Sequence, residues 1–251
     1  MIIELAGPPC VGKTTLARAL ADRLQSRGLT TNVVLSFRPR EIPAEARTRQ
    51  RLIEATAAPY RVLRPLWELA SAAAQTGQED RLIARALLDA LPPRTTFCSI
   101  RMWQYILRLT RSWKRASRSA DVAIFDQAFV QAIYSLALTA PVGSADLDRA
   151  LDSLPQPDLL VRLTAPRDIL ASRLSERQGH QGVFERLLEV DPETNLASIR
   201  IFDQLDSMLE VKGFCVTHVD TSSAGSVQAR LDSLVTAVAA QVRCAEPRTL
   251  H

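Results

Sequence analysis

Residues Gly7-Pro8-Pro9-Cys10-Val11-Gly12-Lys13-Thr14 restrict this chain more than any other segment. They lie between an apolar run, Met1 to Ala6, and an amphipathic one, Thr14 to Arg27, in which Leu16, Ala17, Leu20, Ala21 and Leu24 recur at helical spacing. Two glycines at this separation, followed by lysine and a hydroxyl residue, match the G-x₄-G-K-[ST] phosphate loop. The residue types have a physical reason. Glycines let successive backbone N–H groups turn inward around an anion, and the N-terminus of the following helix adds partial positive charge. Such a loop needs a buried strand before it and a helix after it, so the rest of the chain is expected to be an alternating α/β architecture. In that setting Lys13 is expected to bridge β- and γ-phosphates of a nucleoside triphosphate such as ATP. The Thr14 hydroxyl is expected at Mg²⁺, and Thr15 beside it at the nucleotide. The plain alternative is a glycine-rich strand-to-helix turn with no ligand.

Composition removes several other classes. The chain has 251 residues, of which 47% are hydrophobic and 23% charged, as in an ordinary globular protein of one large or two small domains. No apolar run reaches the roughly 18 to 20 residues of a membrane span, so no membrane partner is expected. Met1-Ile2-Ile3-Glu4-Leu5 lacks a basic region and a cleavage pattern, and a cytoplasmic location is expected. Cys10, Cys98, Cys215 and Cys244 are scattered, without the paired spacing of a zinc or redox site. Cys215, in an apolar run, reads as buried, and Cys10 as filler within the loop. The net charge of +4 suits polyanionic ligands only weakly. Lysine occurs at Lys13, Lys114 and Lys212 alone, so one of the few lysines stands where the loop requires it.

Further strands are expected at Thr31 to Phe37, Asp121 to Asp126, Asp158 to Thr164 and Phe214 to Val219, separated by helical patterns long enough for parallel crossovers. About eighty residues of helical character separate the second and third strands, too many for a plain crossover. They read as a helical insert over about 42–119 that covers an acceptor site. Ser144 to Pro157 reads as a polar connection with a short helix. The expected organisation is a single domain over 1–244 and a tail at 245–251.

Asp126 ends the third strand, where a carboxylate can hold Mg²⁺ through water or take a proton from the acceptor; the bland reading is a helix cap. Asp121 sits at the strand's entry end, away from catalysis. Arg173 and Arg177 share one helical face before Gly179, His180 and Gly182, which suits a lid over about 167–186 closing on phosphate; solvated ion pairs with Glu176 or Glu185 are the alternative. Phe97 to Arg118 reads as one helix. Its arginines 101, 108, 111, 115 and 118 form a basic side, and Trp103, Ile106, Leu107 and Leu109 form a core stripe. A nucleic-acid partner is not expected from it. His218, in the last strand, reads as a satisfied buried histidine.

This arrangement resembles the nucleoside and nucleotide kinases of the P-loop group, and is most similar to thymidylate kinase. The resemblance rests on Gly7 to Thr14, on Phe37-Arg38-Pro39-Arg40-Glu41 after the second strand, on Asp126-Gln127 in place of the family's Asp-Arg pair, on Arg173-x₃-Arg177, and on Val219-Asp220-Thr221-Ser222-Ser223. It implies a P-loop NTPase three-layer sandwich with a five-stranded parallel sheet of order 2-3-1-4-5. It further implies that Arg38, Arg40 and Glu41, with Gln127, lie on the acceptor side; Arg38, Arg40 or Arg101 would replace the missing acceptor charge, with solvated surface or structural ion pairs as their alternative, and Gln131 is a second neutral hydrogen-bonding group for the acceptor. Asp220, Thr221 and Ser222 would border adenine. A homodimer is compatible with it. Gln127, where the family has arginine, suits a hydroxylated or amide-bearing acceptor better than a phosphate. Three functions therefore stay open: a kinase of nucleotides, nucleosides or related small molecules; a kinase of a hydroxylated natural product or antibiotic; and a nucleotide-binding regulatory module.

Overall fold

The computed structural model describes residues 1–35, 77–138, 143–179 and 199–245. Five parallel strands form one sheet in the order β2-β3-β1-β4-β5. They are β1 (Ile2–Ala6), β2 (Thr31–Val34), β3 (Val122–Phe125), β4 (Leu159–Thr164) and β5 (Val216–Asp220). β1 is central because it is apolar on both sides: Ile3 and Leu5 enter one core cluster, and Ile2 and Ala6 the other. Its register pairs Ile3 with Ile124 on one flank and with Leu159 on the other.

Helices cover both faces and complete three layers. On one face α1 (Lys13–Gln25) packs beside the last helix of the described residues, α8 (Ala224–Ala245), and Arg23 pairs with Asp232 between them. Leu16, Leu20 and Leu24 of α1 are buried against Leu231, Leu234 and Val238 of α8 in one cluster. α1 stops at Gly28, which adopts φ 85°, a left-handed geometry that glycine enters without a Cβ penalty. The Leu29 N–H then reaches back to the Leu24 carbonyl at 3.2 Å.

The opposite face carries α2 (Gln78–Ala90), α3 (Thr96–Ala116), α4 (Phe129–Ala137), α5 (Ser144–Asp152) and α7 (Ile199–Val211). Between β4 and α7 lies α6 (Arg167–Gly179). The expected helix at Phe97 to Arg118 is α3, capped by Thr95, whose hydroxyl accepts the Cys98 N–H at 3.2 Å. Ile106, Leu107, Leu109 and Trp113 of α3 are buried, and Trp103 is half-buried against the same core. Two helices, each with one buried face, thus lie within the region read as an insert.

Two expectations fail at β5 and the residue before it. Cys215 and His218 were expected to be buried, yet both are exposed. The reason is the strand order: among the described residues β5 pairs only with β4 and forms the sheet's edge. His218 faces outward toward Glu210, 3.8 Å away. Arg38, Arg40 and Glu41, the insert before residue 77, the lid beyond Gly179 and the tail after Ala245 lie outside the described residues. Among the described residues, no helix is long and apolar enough to cross a membrane.

Candidate active site

The loop leaves the carboxyl end of β1, between the ends of β3 and β4, the position where open α/β sheets place ligands. Its backbone is tightly specified. A Cβ on Gly7 would lie 2.7 Å from the Leu163 carbonyl oxygen and 3.0 Å from Val11 Cγ1, so only glycine passes between β4 and its own loop. Gly12 takes φ 98° and begins α1 with no side-chain cap, leaving the helix N-terminus to the loop's contents. Cys10 takes φ 61°, a left-handed conformation that costs a residue with a Cβ about 1 kcal/mol or more. Its place in the sequence gave no sign of this. Val11 and Pro8 are buried, while Pro9 and Cys10 are half-exposed.

Lys13 is buried, and its Nζ donates to the carbonyls of Gly7 at 2.7 Å and Pro8 at 2.9 Å. The amine is therefore held over the loop it serves. Thr14 Oγ1 donates to Asp126 Oδ2 at 2.9 Å, and Thr15 beside it is exposed. Asp126 is 2% exposed, so its carboxylate is not a surface feature. Its position is set by aromatic packing on either side in sequence: Phe125 and Phe129 both lie against Trp113 of α3, with ring centroids 5.1 and 5.3 Å away. The chain thus brings a buried carboxylate and the P-loop hydroxyl together across two neighbouring strands. Both are hard oxygen donors, the donor type Mg²⁺ prefers. Asp121, by contrast, accepts the N–H and hydroxyl of Thr30, both at 2.7 Å, and those bonds hold its carboxyl below the usual range.

Gln127 follows Asp126 and is half-buried. Gln131, expected at the acceptor, is 7% exposed, and its Oε1 accepts the Gly7 N–H at 3.4 Å. It thus abuts the phosphate loop itself. Arg101 is exposed on α3 with its guanidinium 5.7 Å from the Phe97 ring centroid.

On the far side, Arg173 is tied to the segment after β5: its Nη2 donates to the Thr221 carbonyl at 2.9 Å and its Nη1 to Thr221 Oγ1 at 3.4 Å. Thr221 is itself buried and bonds the Thr164 carbonyl through both its N–H, at 2.8 Å, and its hydroxyl, at 3.1 Å. Asp220 is exposed and closes a small turn by accepting from Ser222 N–H at 2.9 Å and Ser222 Oγ at 2.6 Å, which lowers its carboxyl. Arg173, Asp220, Thr221 and Ser222 therefore form one assembly. Arg177 follows one turn later on α6.

Two residues near the site were not singled out from the sequence. Glu4 of β1 is fully buried, and burial pushes its carboxyl up to about 8 against the pull of N–H groups at the start of α4. Tyr105 of α3 is pushed above its ordinary range by burial and by the charges of Glu4 and Asp126, so its phenol stays protonated. A carboxylate interrupting an otherwise apolar strand was the available signal for Glu4; nothing in the α3 pattern marks Tyr105.

No protein-family model matches the chain, and no characterised protein matches it by sequence. Solved structures do match in three dimensions. A deoxyadenosine kinase from M. mycoides with products dCMP and a flexible dCDP bound superimposes with a TM-score of 0.54 at 13% identity, covering 96% of this chain and 100% of that one. The same enzyme with bound dATP gives a TM-score of 0.52 at 14% identity over 95% of this chain and 100% of that one. At such identity the likeness establishes the fold: the five-stranded sheet of order 2-3-1-4-5 is that of the P-loop NTPases to which this deoxyadenosine kinase belongs.

Proposed function

We propose that the chain is a phosphotransferase that moves the γ-phosphoryl group of ATP to a hydroxyl of a nucleoside or related small molecule. The observation that carries this reading is the 2.9 Å bond between Thr14 and buried Asp126 beside a phosphate loop whose lysine is already in place. A turn without a ligand has no use for a lysine and a carboxylate buried together at its mouth. Thr14 and Asp126 would hold Mg²⁺, which supplies charge neutralisation to the β- and γ-phosphates when bound.

The remaining work falls to the chain's own side chains. Lys13 exchanges its carbonyl partners for phosphate oxygens and stays with the γ-phosphoryl as its charge develops. The acceptor's oxygen forms a bond to the γ-phosphorus as the bond to the β,γ-bridging oxygen breaks. The hydroxyl proton leaves toward Asp126, directly or through water. Arg173 with Thr221, Asp220 and Ser222 forms the wall for the nucleotide's base, and Arg177 supplies positive charge to the transferring group.

A nucleoside acceptor is favoured over a nucleoside monophosphate, the acceptor of thymidylate kinases, because Gln127 offers neutral hydrogen bonds where that family carries arginine. The same feature supports a hydroxylated natural product as the second acceptor class. We further assign residues 1–244 to one catalytic domain with 245–251 as a tail, Arg38, Arg40 and Glu41 to the acceptor side, and a cytoplasmic location.

The test is ADP release from ATP and Mg²⁺ against a panel of nucleosides, deoxynucleosides, nucleoside monophosphates and hydroxylated metabolites, in the parent and in Lys13→Ala. The expected result is acceptor-dependent release in the parent and none in Lys13→Ala, with the fold retained. Slow release that no acceptor accelerates would replace this reading with that of a regulatory module.

A further inference from the structure

β1 sends Ile2, Glu4 and Ala6 toward the face that carries α3 and α4, and the two neighbours of Glu4 there are core residues. A carboxyl group at such a position is costly compared with leucine, since burial penalises its charge. What it contacts is specific. Glu4 Oε1 accepts the N–H of Val130 at 2.8 Å and that of Gln131 at 3.3 Å, in the first turn of α4. Glu4 Oε2 has no hydrogen-bond partner among the described residues. The group therefore spends its bonding on one helix terminus, whose start Ala128 leaves without a side-chain cap.

That terminus carries Gln131, and the Gln131 side chain runs onward to the phosphate loop, where its Oε1 meets the Gly7 N–H at 3.4 Å. Gly7 has no freedom to drift, because Leu163 and Val11 close around its Cα. Its carbonyl in turn receives Lys13 Nζ at 2.7 Å. A continuous line of contacts thus runs from Glu4 through the start of α4 and Gln131 to Gly7 and Lys13. Every member is buried, so water cannot substitute for a missing partner.

We propose that Glu4 and Gln131 are positioning residues of the phosphate loop: Glu4 fixes the first turn of α4, and Gln131 from that turn fixes Gly7, and with it the loop backbone that ATP meets and the carbonyl that holds Lys13 until ATP takes its amine. Neither touches the nucleotide. The proposal rests on the phosphotransferase reading insofar as the loop holds ATP.

The experiment measures displacement of a fluorescent ADP analogue by ATP with Mg²⁺ in the parent, Gln131→Leu, Glu4→Gln, Glu4→Leu and the Glu4→Leu/Gln131→Leu double variant, each well below its own melting temperature. Gln131→Leu is expected to weaken ATP about three- to tenfold, the scale of one buried hydrogen bond. Glu4→Gln keeps a carbonyl oxygen for the two N–H donors and is expected within about twofold of the parent. Glu4→Leu should lose about as much as Gln131→Leu, and the double variant no more than either, because both break one line. Parental affinity in Gln131→Leu overturns the proposal, as do losses that multiply in the double variant. Should Glu4→Leu fail to fold, the Gln131→Leu arm decides alone. A parent that binds no ATP overturns the nucleotide reading as well, whereas a parent that binds ATP with unaffected variants overturns only the positioning line.

Discussion

Glu4→Gln is expected to stabilise the protein in a way that grows with pH. The Glu4 carboxyl keeps the ordinary glutamate value of about 4.5 in the unfolded chain and is pushed up to about 8 in the fold, mainly because burial penalises its charged form. Below pH 4.5 both states hold the proton and no penalty exists. As pH rises above that value the unfolded chain releases the proton while the fold keeps it, so stability falls by about 1.4 kcal/mol per pH unit. The fall ends near pH 8, where the folded carboxyl also ionises. Between pH 5 and pH 8 the accumulated loss is about 3 to 4 kcal/mol, the slope flattening at each end of the window. Glutamine presents the same carbonyl to Val130 and Gln131 without a titrating proton, and so escapes this loss. Urea unfolding of parent and variant, followed by the fluorescence of buried Trp113 and its two sister tryptophans, reads the difference directly. The gap between the two unfolding free energies should widen by about 3 to 4 kcal/mol from pH 5 to pH 8 in favour of the variant. A gap independent of pH, or a variant less stable than the parent at pH 8, would refute the reasoning.

Asp126→Asn should lose at least about a hundredfold in turnover while ATP affinity falls less, because asparagine caps a helix as well as aspartate does but neither holds Mg²⁺ as well nor takes a proton; steady-state kinetics and ATP titration check this, and unchanged turnover would leave Asp126 as a cap. Arg173→Lys should raise the KM for ATP several-fold with a smaller effect on kcat, since lysine cannot reproduce the two-pronged contact with Thr221. Arg162→Leu should destabilise the fold by about 3 kcal/mol, because Arg162 is buried over the Phe202 ring and its loss strands the Asp206 carboxylate that it meets at 2.9 Å. Adding Asp206→Leu should restore much of that stability, and a denaturation cycle of the four proteins tests it.

The parts of the fold that the sequence disclosed are those where one physical signal dominates. β1, the loop and α1 follow from an apolar run, fixed glycines and a helical stripe, and the sheet order follows from the resemblance those features support. Asp126 was legible as well, because a carboxylate closing an apolar strand has few structural uses. Relations between distant segments were less legible. Gln131 reads from its sequence position as an acceptor contact, and only the packing of α4 on β1 shows that it meets Gly7. Arg173 reads as a lid residue, and the fold adds its tie to Thr221. Arg162 was hidden inside β4, since an arginine that stacks on Phe202 and pairs with Asp206 has no signature until α7 is placed. Cys215 and His218 were misjudged because an apolar run at a sheet edge looks the same in one dimension as a run at its centre.

On the ribosome, β1 is made well before either strand that will pair with it. Residues 2–6 can be satisfied only after 122–125 and 159–164 exist, and until then they form a β-prone segment with open edges on both sides. Such a segment tends to associate with other chains unless a charge interrupts it. Glu4 supplies that charge at the middle of the strand while the chain is unfolded, when its carboxyl titrates near 4.5, and gives it up on entering the core. The same residue is therefore expected to protect the waiting strand and to weaken the finished sheet. Glu4→Gln should accordingly gain stability at equilibrium and lose soluble yield on refolding from denaturant at neutral pH, two effects of opposite sign from one substitution.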